Sequence, residues 1–482
     1  MKKNYLYNLS LSIVNILFPI LSFPYASRIL GPSGIGKVQM VSSFAQYFAL
    51  IAALGIPIYG IQEIAKARHD KKKLSVVFSE LLSIYFIASL LVSSFYIIII
   101  FFFPFFQSNL QLYYTAIILV LFGFSSIDWL YSGLEEFRII AIRSIAIKIL
   151  ALVCLYLFVK TSNDYLVYLC IIIFSLMGNN IISLLMLGSR TSLVLHHLNL
   201  KQHIKPLFYI FSTTMAASMY TILDTVLLGF LSNENAVGLY TAAIKLCKIA
   251  LPFVTSIGIV LIPKLSQSVA ENNFEEMQNL LDKSFHFISF FSVPVMMGLL
   301  VLAPEFIAVF SGSKFHEAIT SMQILSVLPL LIGFGYFFAF QILVPLGKNR
   351  EMFLSVVGGM CAGFLLNFLL VPALKDKGAA IANAVSEIIV TILYFYFVQK
   401  HHSFKYKWVL LFKAFVCALP FIPIVLLIRS FETNAIITLM SSIIFCAAIY
   451  FTVQYFIFKD HFILKILDPY LIRIGIKKIK EK

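Results

Sequence analysis

The sequence predicts an all-α polytopic membrane protein of about 14 transmembrane helices, built as two six-helix lobes related by a pseudo-two-fold axis along the membrane normal, plus two extra C-terminal helices. Three observations predict it. Of the 482 residues, 60% are hydrophobic and only 12% charged, and the mean hydropathy of +0.94 lies far above that of a soluble domain. Apolar segments of roughly 20 residues or more follow one another with short polar joints between them. A shift of 202 positions, described below, lays the start of one half of the chain on the start of the other.

The first apolar segment, MKKNYLYNLSLSIVNILFPILSF, opens with two lysines as a secretion signal does. It lacks a small-residue cleavage site and its apolar run is longer than an h-region, so it is read as the first span. The spans of the first half lie at about 6–28, 36–64, 76–106, 112–134, 139–160 and 164–188. Those of the second lie at about 206–231, 236–262, 284–311, 317–346, 351–372 and 378–399, followed by about 408–429 and 433–457. Residues 1–188 are thus an N-terminal lobe, 189–205 a cytoplasmic linker, 206–400 a C-terminal lobe, 401–458 the two added spans and 459–482 a basic cytoplasmic tail. Most of the 37 Lys and Arg fall in joints on one side, notably KARHDKKK (66–73) and KKIKEK (477–482). By the positive-inside rule both termini are cytoplasmic, and the net charge of +15 points to an anionic leaflet rather than to nucleic acid.

The shift of 202 lays PSGIGKVQMVSSFAQYFAL on ENAVGLYTAAIKLCKIALP and matches Gly36 to Gly238. Gln39, Ser43 and Gln46 are spaced to share one helical face, and they land on Thr241, Lys245 and Lys248. In the first span Asn8, Ser12, Asn15, Pro19 and Ser22 form another stripe, whose shifted partners are Ile210, Thr214, Ala217, Thr221 and Asp224. Two six-span units entering from the same side make a parallel repeat. The register is lost beyond the third span of each half.

A charge at mid-bilayer costs about 2.5–3.5 kcal/mol on insertion scales unless it faces protein or water. Lys245 lies roughly 15 Å from the outer end of its span and shares a face with Lys248 and Thr241, so a hydrated cavity is the natural setting. Snorkelling, or a structural pair with Asp224, is the other reading. Lys148, mid-span in IRSIAIKILAL, joins the cavity candidates. Arg28 and Arg143 are nearer span ends, where snorkelling serves equally well, although Arg28 ends a polar-striped helix and would crown the cavity. Asp128 and Glu135 share a face near the cytoplasmic side, and Asp224 and Glu387 are isolated deep acids. Such an acid either carries a coupling proton or locks two helices through a lysine.

Other chemistry is excluded or weak. Cys154, Cys170, Cys247, Cys361, Cys417 and Cys446 sit in apolar segments without metal-ligand spacing and read as packing residues. The histidines, including His196, His197, His401 and His402, read as solvated loop residues, so no metal site is expected. LGPSGIG (30–36) lacks the spacing and ending of a P-loop and reads as a tight loop and helix start. A membrane glycosyl-transfer enzyme needs acids on a sizeable outer loop, and the outer joints are short, so no enzyme is expected. Pro19, Pro24, Pro57, Pro252, Pro294 and Pro329 are expected to interrupt spans.

The segment RILGPSGIGKVQMVSSFAQYFALIAALGIPIYGIQEIAKARHD (28–70) resembles the start of the oligosaccharide repeat-unit flippases of the polysaccharide transporter family, within the multidrug/oligosaccharidyl-lipid/polysaccharide (MOP) superfamily. IDWLYSGLEEFRIIAIRS (127–144), LDTVLLGFLSNENAVGLYTAA (223–243) and LVPLGKNREMF (343–353) resemble later landmarks of the same family, while the last two spans show little beyond hydrophobicity. The resemblance implies a bacterial cytoplasmic-membrane flippase that moves undecaprenyl-pyrophosphate-linked oligosaccharide from inner to outer leaflet for O-antigen, capsule or exopolysaccharide assembly. On that reading Lys245, Lys248, Lys148 and Arg28 hold the pyrophosphate, while Asn8, Asn15, Gln39, Ser43, Gln46 and Thr241 meet the sugar. No cofactor is expected beyond a coupling H⁺ or Na⁺, and the expected partners are the lipid-linked cargo, the bilayer and polysaccharide polymerase machinery, with the protein a monomer. The rival readings are a lipid II flippase, a MATE-like drug antiporter, which would favour an acidic cavity, a glycosyl-transfer enzyme, and a structural partner of a polymerase.

Overall fold

Long runs of Leu, Ile, Phe and Val offer no polar side chain to satisfy the backbone, so each run closes its hydrogen bonds internally as a helix. The computed structural model describes residues 2–460 apart from 195, 197 and 433, together with residue 464; the side chains of 2–6, 8, 9, 189, 212–214, 216–222 and 259 lie outside the described set. No strand occurs among the described residues. Among the described residues eleven stretches are long and apolar enough to cross a membrane. Two of them, Ser10–Ala67 and Asn349–His401, are 58 and 53 residues long. At ~1.5 Å per residue that is more than twice a hydrocarbon thickness of ~30 Å, so each must hold two spans. The turning points are single residues with left-handed φ, Gly31 (69°) and Lys375 (52°). With the helix Lys201–Leu231, the described residues hold the fourteen spans expected of the sequence.

LGPSGIG, read as a loop, is therefore helical except at Gly31, and Pro32 opens the next helix with a φ already suited to it. The expected proline interruptions divide into two kinds. Pro57, Pro252 and Pro329 stand in the first turn of helices that restart inside a span: Ile56–Ala67, Leu251–Ala270 and Leu328–Phe338. Pro19, Pro24 and Pro294 are carried within continuous helix.

The chain forms two compact units. The first comprises Met1–Ala242, Phe310–Glu317 and Val356–Asn383. Its aromatic core surrounds Phe44, with Phe48, Phe106 and Tyr96 at ring-centroid distances of 4.9, 5.0 and 5.4 Å. Within this unit the two glycines matched by the 202 shift lie against each other's helices. A Cβ on Gly36 would fall 1.7 Å from the Glu234 carbonyl oxygen, and one on Gly238 would fall 1.9 Å from that of Pro32. Each glycine thus receives the carbonyl four residues before the other, a reciprocal crossing that only a side chain of hydrogen permits. Gly36→Ala is expected to lower stability by about 1–3 kcal/mol or more, because backbone rather than a flexible side chain must give way. Gly298→Ala, at a helical position with nothing within 4 Å of the added methyl, is expected to be neutral or stabilising by up to ~1 kcal/mol. Thermal unfolding of the two purified variants checks the contrast.

The second unit comprises Ala243–Val309, Ala318–Ser355 and Ala384–Lys482. Its core joins Phe290, Val293 and Met297 of Phe274–Val301 to Cys417, Phe421, Val425 and Tyr450 of the last two spans. The Tyr450 hydroxyl donates to the Phe290 carbonyl at 2.7 Å. Arg429 grips Glu305 with two parallel bonds of 2.7 and 2.8 Å and donates to the Val301 carbonyl at 2.7 Å. The added spans are thus built into the core of this unit.

Candidate functional site

Lys148 stands in the helix Phe137–Phe158, which packs along the first helical stretch of the chain. Near one end of this contact the Tyr25 hydroxyl donates to the Val159 carbonyl at 3.0 Å, and the Tyr25 and Tyr156 rings lie 4.2 Å apart, fixing the register. That register brings the Lys148 ammonium to the Asn15 side-chain oxygen, to which it donates, and places it 5.7 Å from the centroid of the Phe18 ring. Both partners are neutral, and no carboxylate pairs with Lys148 among the described residues. The amide and the ring face offset part of the desolvation cost, and neither carries a negative charge to cancel that of the ammonium.

Arg143, one turn and a little earlier on the same helix, is neutralised. Its guanidinium donates to Asp128 and to the Ser183 hydroxyl and lies 5.1 Å from the Tyr131 ring centroid. Asp128 is therefore engaged in an ion pair that ties two segments together. Glu135 likewise pairs with Arg68. Arg28 is exposed, donates to the Pro24 carbonyl at 2.9 Å, and has Gly312 beside its side chain.

Of the polar stripe on the second span, Gln39 donates to the Ser43 hydroxyl at 3.1 Å and Gln46 is exposed. Thr241 is buried, and its hydroxyl has no hydrogen-bond partner among the described residues. The Asn8 side chain lies outside the described residues. Lys245, half-buried, and Lys248, exposed, occupy the end of the half-helix Glu234–Ile249 in a span that breaks at Ala250. Pro252 brings no N–H to the Lys248 carbonyl. A helix C-terminus favours such cations.

Asp224 is buried at 6% exposure and gathers amides from two distant segments. Asn367 donates to it at 2.8 Å, Asn383 donates to its other oxygen, and the Tyr240 hydroxyl approaches that oxygen at 3.4 Å. The Asn367 side-chain oxygen beside it is buried without a partner among the described residues. Glu387 is half-buried on Asn349–His401.

Sequence reasoning missed Asn367 and Asn383, although an amide inside GFLLNFLL is a visible signal. It also missed Gln341, fully buried in the short π-helical turn Ala339–Leu343 with neither amide atom partnered among the described residues. Such turns interrupt regular helix bonding and are frequent at functional sites. His203, in the segment read as a solvated linker, is buried: it pairs with Glu80 at 2.9 Å and meets the Tyr59 hydroxyl at 2.9 Å. Glu80 also accepts from the Asn199 backbone at 2.7 Å, so the linker is tied down through one carboxylate. Among the described residues no group of three or more His, Cys, Asp or Glu side chains could hold a metal ion.

The helical spans of the described residues carry charged and amide side chains within their apolar length. In fold the chain is similar to the lipid II flippase MurJ in an inward closed conformation (TM-score 0.65, 16% identity, covering 92% of this chain and 99% of that one). It is similar also to a multidrug resistance MATE family transporter in an inward-facing conformation (TM-score 0.65, 16% identity, covering 82% of this chain and 97% of that one). The chain belongs to the family described as polysaccharide biosynthesis protein, which matches residues 1–269. A protein of Escherichia coli (strain K12) named "Putative O-antigen transporter" is 23% identical over 406 residues, 83% of this chain and 97% of that protein. Family and fold are those that the residues at 28–70 and 127–144 implied.

Proposed function

We propose that the protein moves undecaprenyl-pyrophosphate-linked oligosaccharide repeat units from the inner to the outer leaflet of a bacterial cytoplasmic membrane, supplying O-antigen, capsule or exopolysaccharide assembly. The observation that carries this reading is Lys148, a cation in a membrane span whose described partners, Asn15 and Phe18, are both neutral. A pyrophosphate-sugar head group needs such fixed positive charge to leave water, while its lipid tail stays in the hydrocarbon. Lys245, Lys248 and Arg28 extend the cationic path, Asn15, Gln39, Ser43, Gln46 and Thr241 bond the sugar, and residues 1–188 and 206–400 alternate in access with both termini cytoplasmic. Asp224, with Asn367 and Asn383, is the coupling acid for H⁺ or Na⁺. The membrane-embedded polymerase that consumes the unit is the natural downstream partner.

One rival has a specific observation in its favour: the likeness to MurJ over 92% of this chain fits a lipid II flippase. Deleting the gene separates the two. Loss of surface polysaccharide, with complete lipid-linked repeat units accumulating on the cytoplasmic side, is the expected result. Accumulation of lipid II with normal surface polysaccharide would overturn the proposal in favour of the rival, and an incomplete or altered repeat unit would point to an enzyme.

A further inference from the structure

The helix Lys71–Phe102 opens, at the end that carries KARHDKKK, beside a cavity of about 410 Å³. Lys71, Lys72, Ser75, Arg190, Thr191 and Ser192 line it, with Val76 and Val194 among the remaining walls. We propose that this cavity binds the phosphoryl group of a lipid, either an anionic phospholipid of the facing leaflet or the carrier pyrophosphate on its way to the transport path.

No carboxylate lines the cavity, and the two nearby acids are already engaged. Asp70 caps the helix by accepting from the backbone N–H groups of Lys72 and Lys73 at 2.9 and 3.2 Å, so the helix terminus is satisfied and the site rests on side chains. Glu136 pairs with Arg190 at 2.5 Å, which leaves the net charge of the wall to Lys71 and Lys72. Both are exposed, and neither has an ion-pair partner among the described residues. The hydroxyl wall adds a donor. Ser75 Oγ donates to the Lys71 carbonyl and is approached by Thr191 Oγ1 at 3.0 Å, the Ser192 N–H at 3.3 Å and Ser192 Oγ at 3.4 Å. A hydroxyl oxygen has two acceptor positions, so the weakest of the three approaches, the Ser192 hydroxyl, can turn into the cavity.

Size and surroundings fit a lipid head group. At ~30 Å³ per water the cavity holds the equivalent of about fourteen waters. The exposed apolar side chains of Leu185 and Leu193, 80% and 58% accessible, flank the segment at 187–192 and offer contact to acyl chain. A bare row of lysines attracts an anionic leaflet without selecting any one of them; a lined cavity distinguishes Lys71 and Lys72 from their neighbour Lys73, which does not line it.

The test uses that internal control. The full chain is reconstituted in phosphatidylcholine vesicles and treated with an amine-acylating reagent, and the acylation rates of Lys71, Lys72 and Lys73 are read by peptide mass spectrometry. Adding phosphatidylglycerol is expected to slow acylation of Lys71 and Lys72 about fivefold, with Lys73 little changed. Inorganic pyrophosphate is added to plain phosphatidylcholine vesicles in a second arm. Selective protection by phosphatidylglycerol assigns the site to membrane phospholipid, and selective protection by pyrophosphate alone assigns it to the carrier. Equal slowing of all three lysines, or of none in either arm, would overturn the proposal. Arg190 is left intact because it also stacks on Tyr131 and holds Glu136. The readout does not involve transport, so its failure is separable from failure of the flippase assignment, on which only the identity of the leaflet rests.

Discussion

Cells carrying Lys148→Met are expected to lose most of their surface polysaccharide while keeping normal amounts of the protein in the membrane. Methionine retains the length and much of the apolar stem of lysine, so the packing of Phe137–Phe158 against the first helix survives. What disappears is one charge-assisted hydrogen bond to an anion, worth about 1.5–3 kcal/mol, or roughly a tenfold to hundredfold loss of affinity. Lys148→Arg keeps the charge and is expected to retain most export. Quantifying surface polysaccharide against membrane protein level in the three strains checks this. Wild-type export by the methionine variant would remove Lys148 from the cargo path, and the cationic-path argument would then rest on Lys245 and Lys248 alone.

Asp224 is expected to give the largest split between two substitutions at one position. Asp224→Ala strands the amide of Asn383 and one bond of Asn367, which still donates to the Gly363 carbonyl at 2.8 Å. Buried donors left without acceptors cost about 1–3 kcal/mol each, so this variant is expected to melt several degrees lower and to be poorly retained in the membrane. Asp224→Asn keeps the volume and an acceptor oxygen while removing the ionisable group. Its NH2 group faces one of the two donor amides, so it is expected to melt between the alanine variant and wild type and to fail to support export. Export at wild-type level by a stable asparagine variant would show that the carboxylate only locks helices, and the coupling role would fall.

The contrast between Lys148 and Arg143 shows how far each kind of reasoning reaches. Both are basic residues in one apolar run, and the distance to the span end was the only sequence criterion separating them. In the folded chain the difference is one of partners: Arg143 has Asp128 and Ser183, while Lys148 has Asn15 and the face of Phe18. The hydrogen-bonding partners Asp128, Ser183 and Asn15 lie 15, 40 and 133 residues away, separations at which no local periodicity carries information. The Gly36 and Gly238 match had the opposite character. It was visible as a weak alignment, and the structure turned it into a reciprocal backbone contact.

Sequence alone determined the solvent, the secondary structure, the number of spans and the family, because each depends on composition and short-range order: a run of apolar residues has only the helix to satisfy its backbone in oil. It also picked out the basic residues whose position in apolar segments is costly. Tertiary structure decided which charges are neutralised, that Asp224 is held by Asn367 and Asn383, that Gln341 lies in a π-turn, and that Lys71 and Lys72 border a cavity while Lys73 does not. Those outcomes are set by which helices meet and in what register, and the hydrocarbon-like faces that bring helices together are too alike from span to span for the order of residues to specify the pairing.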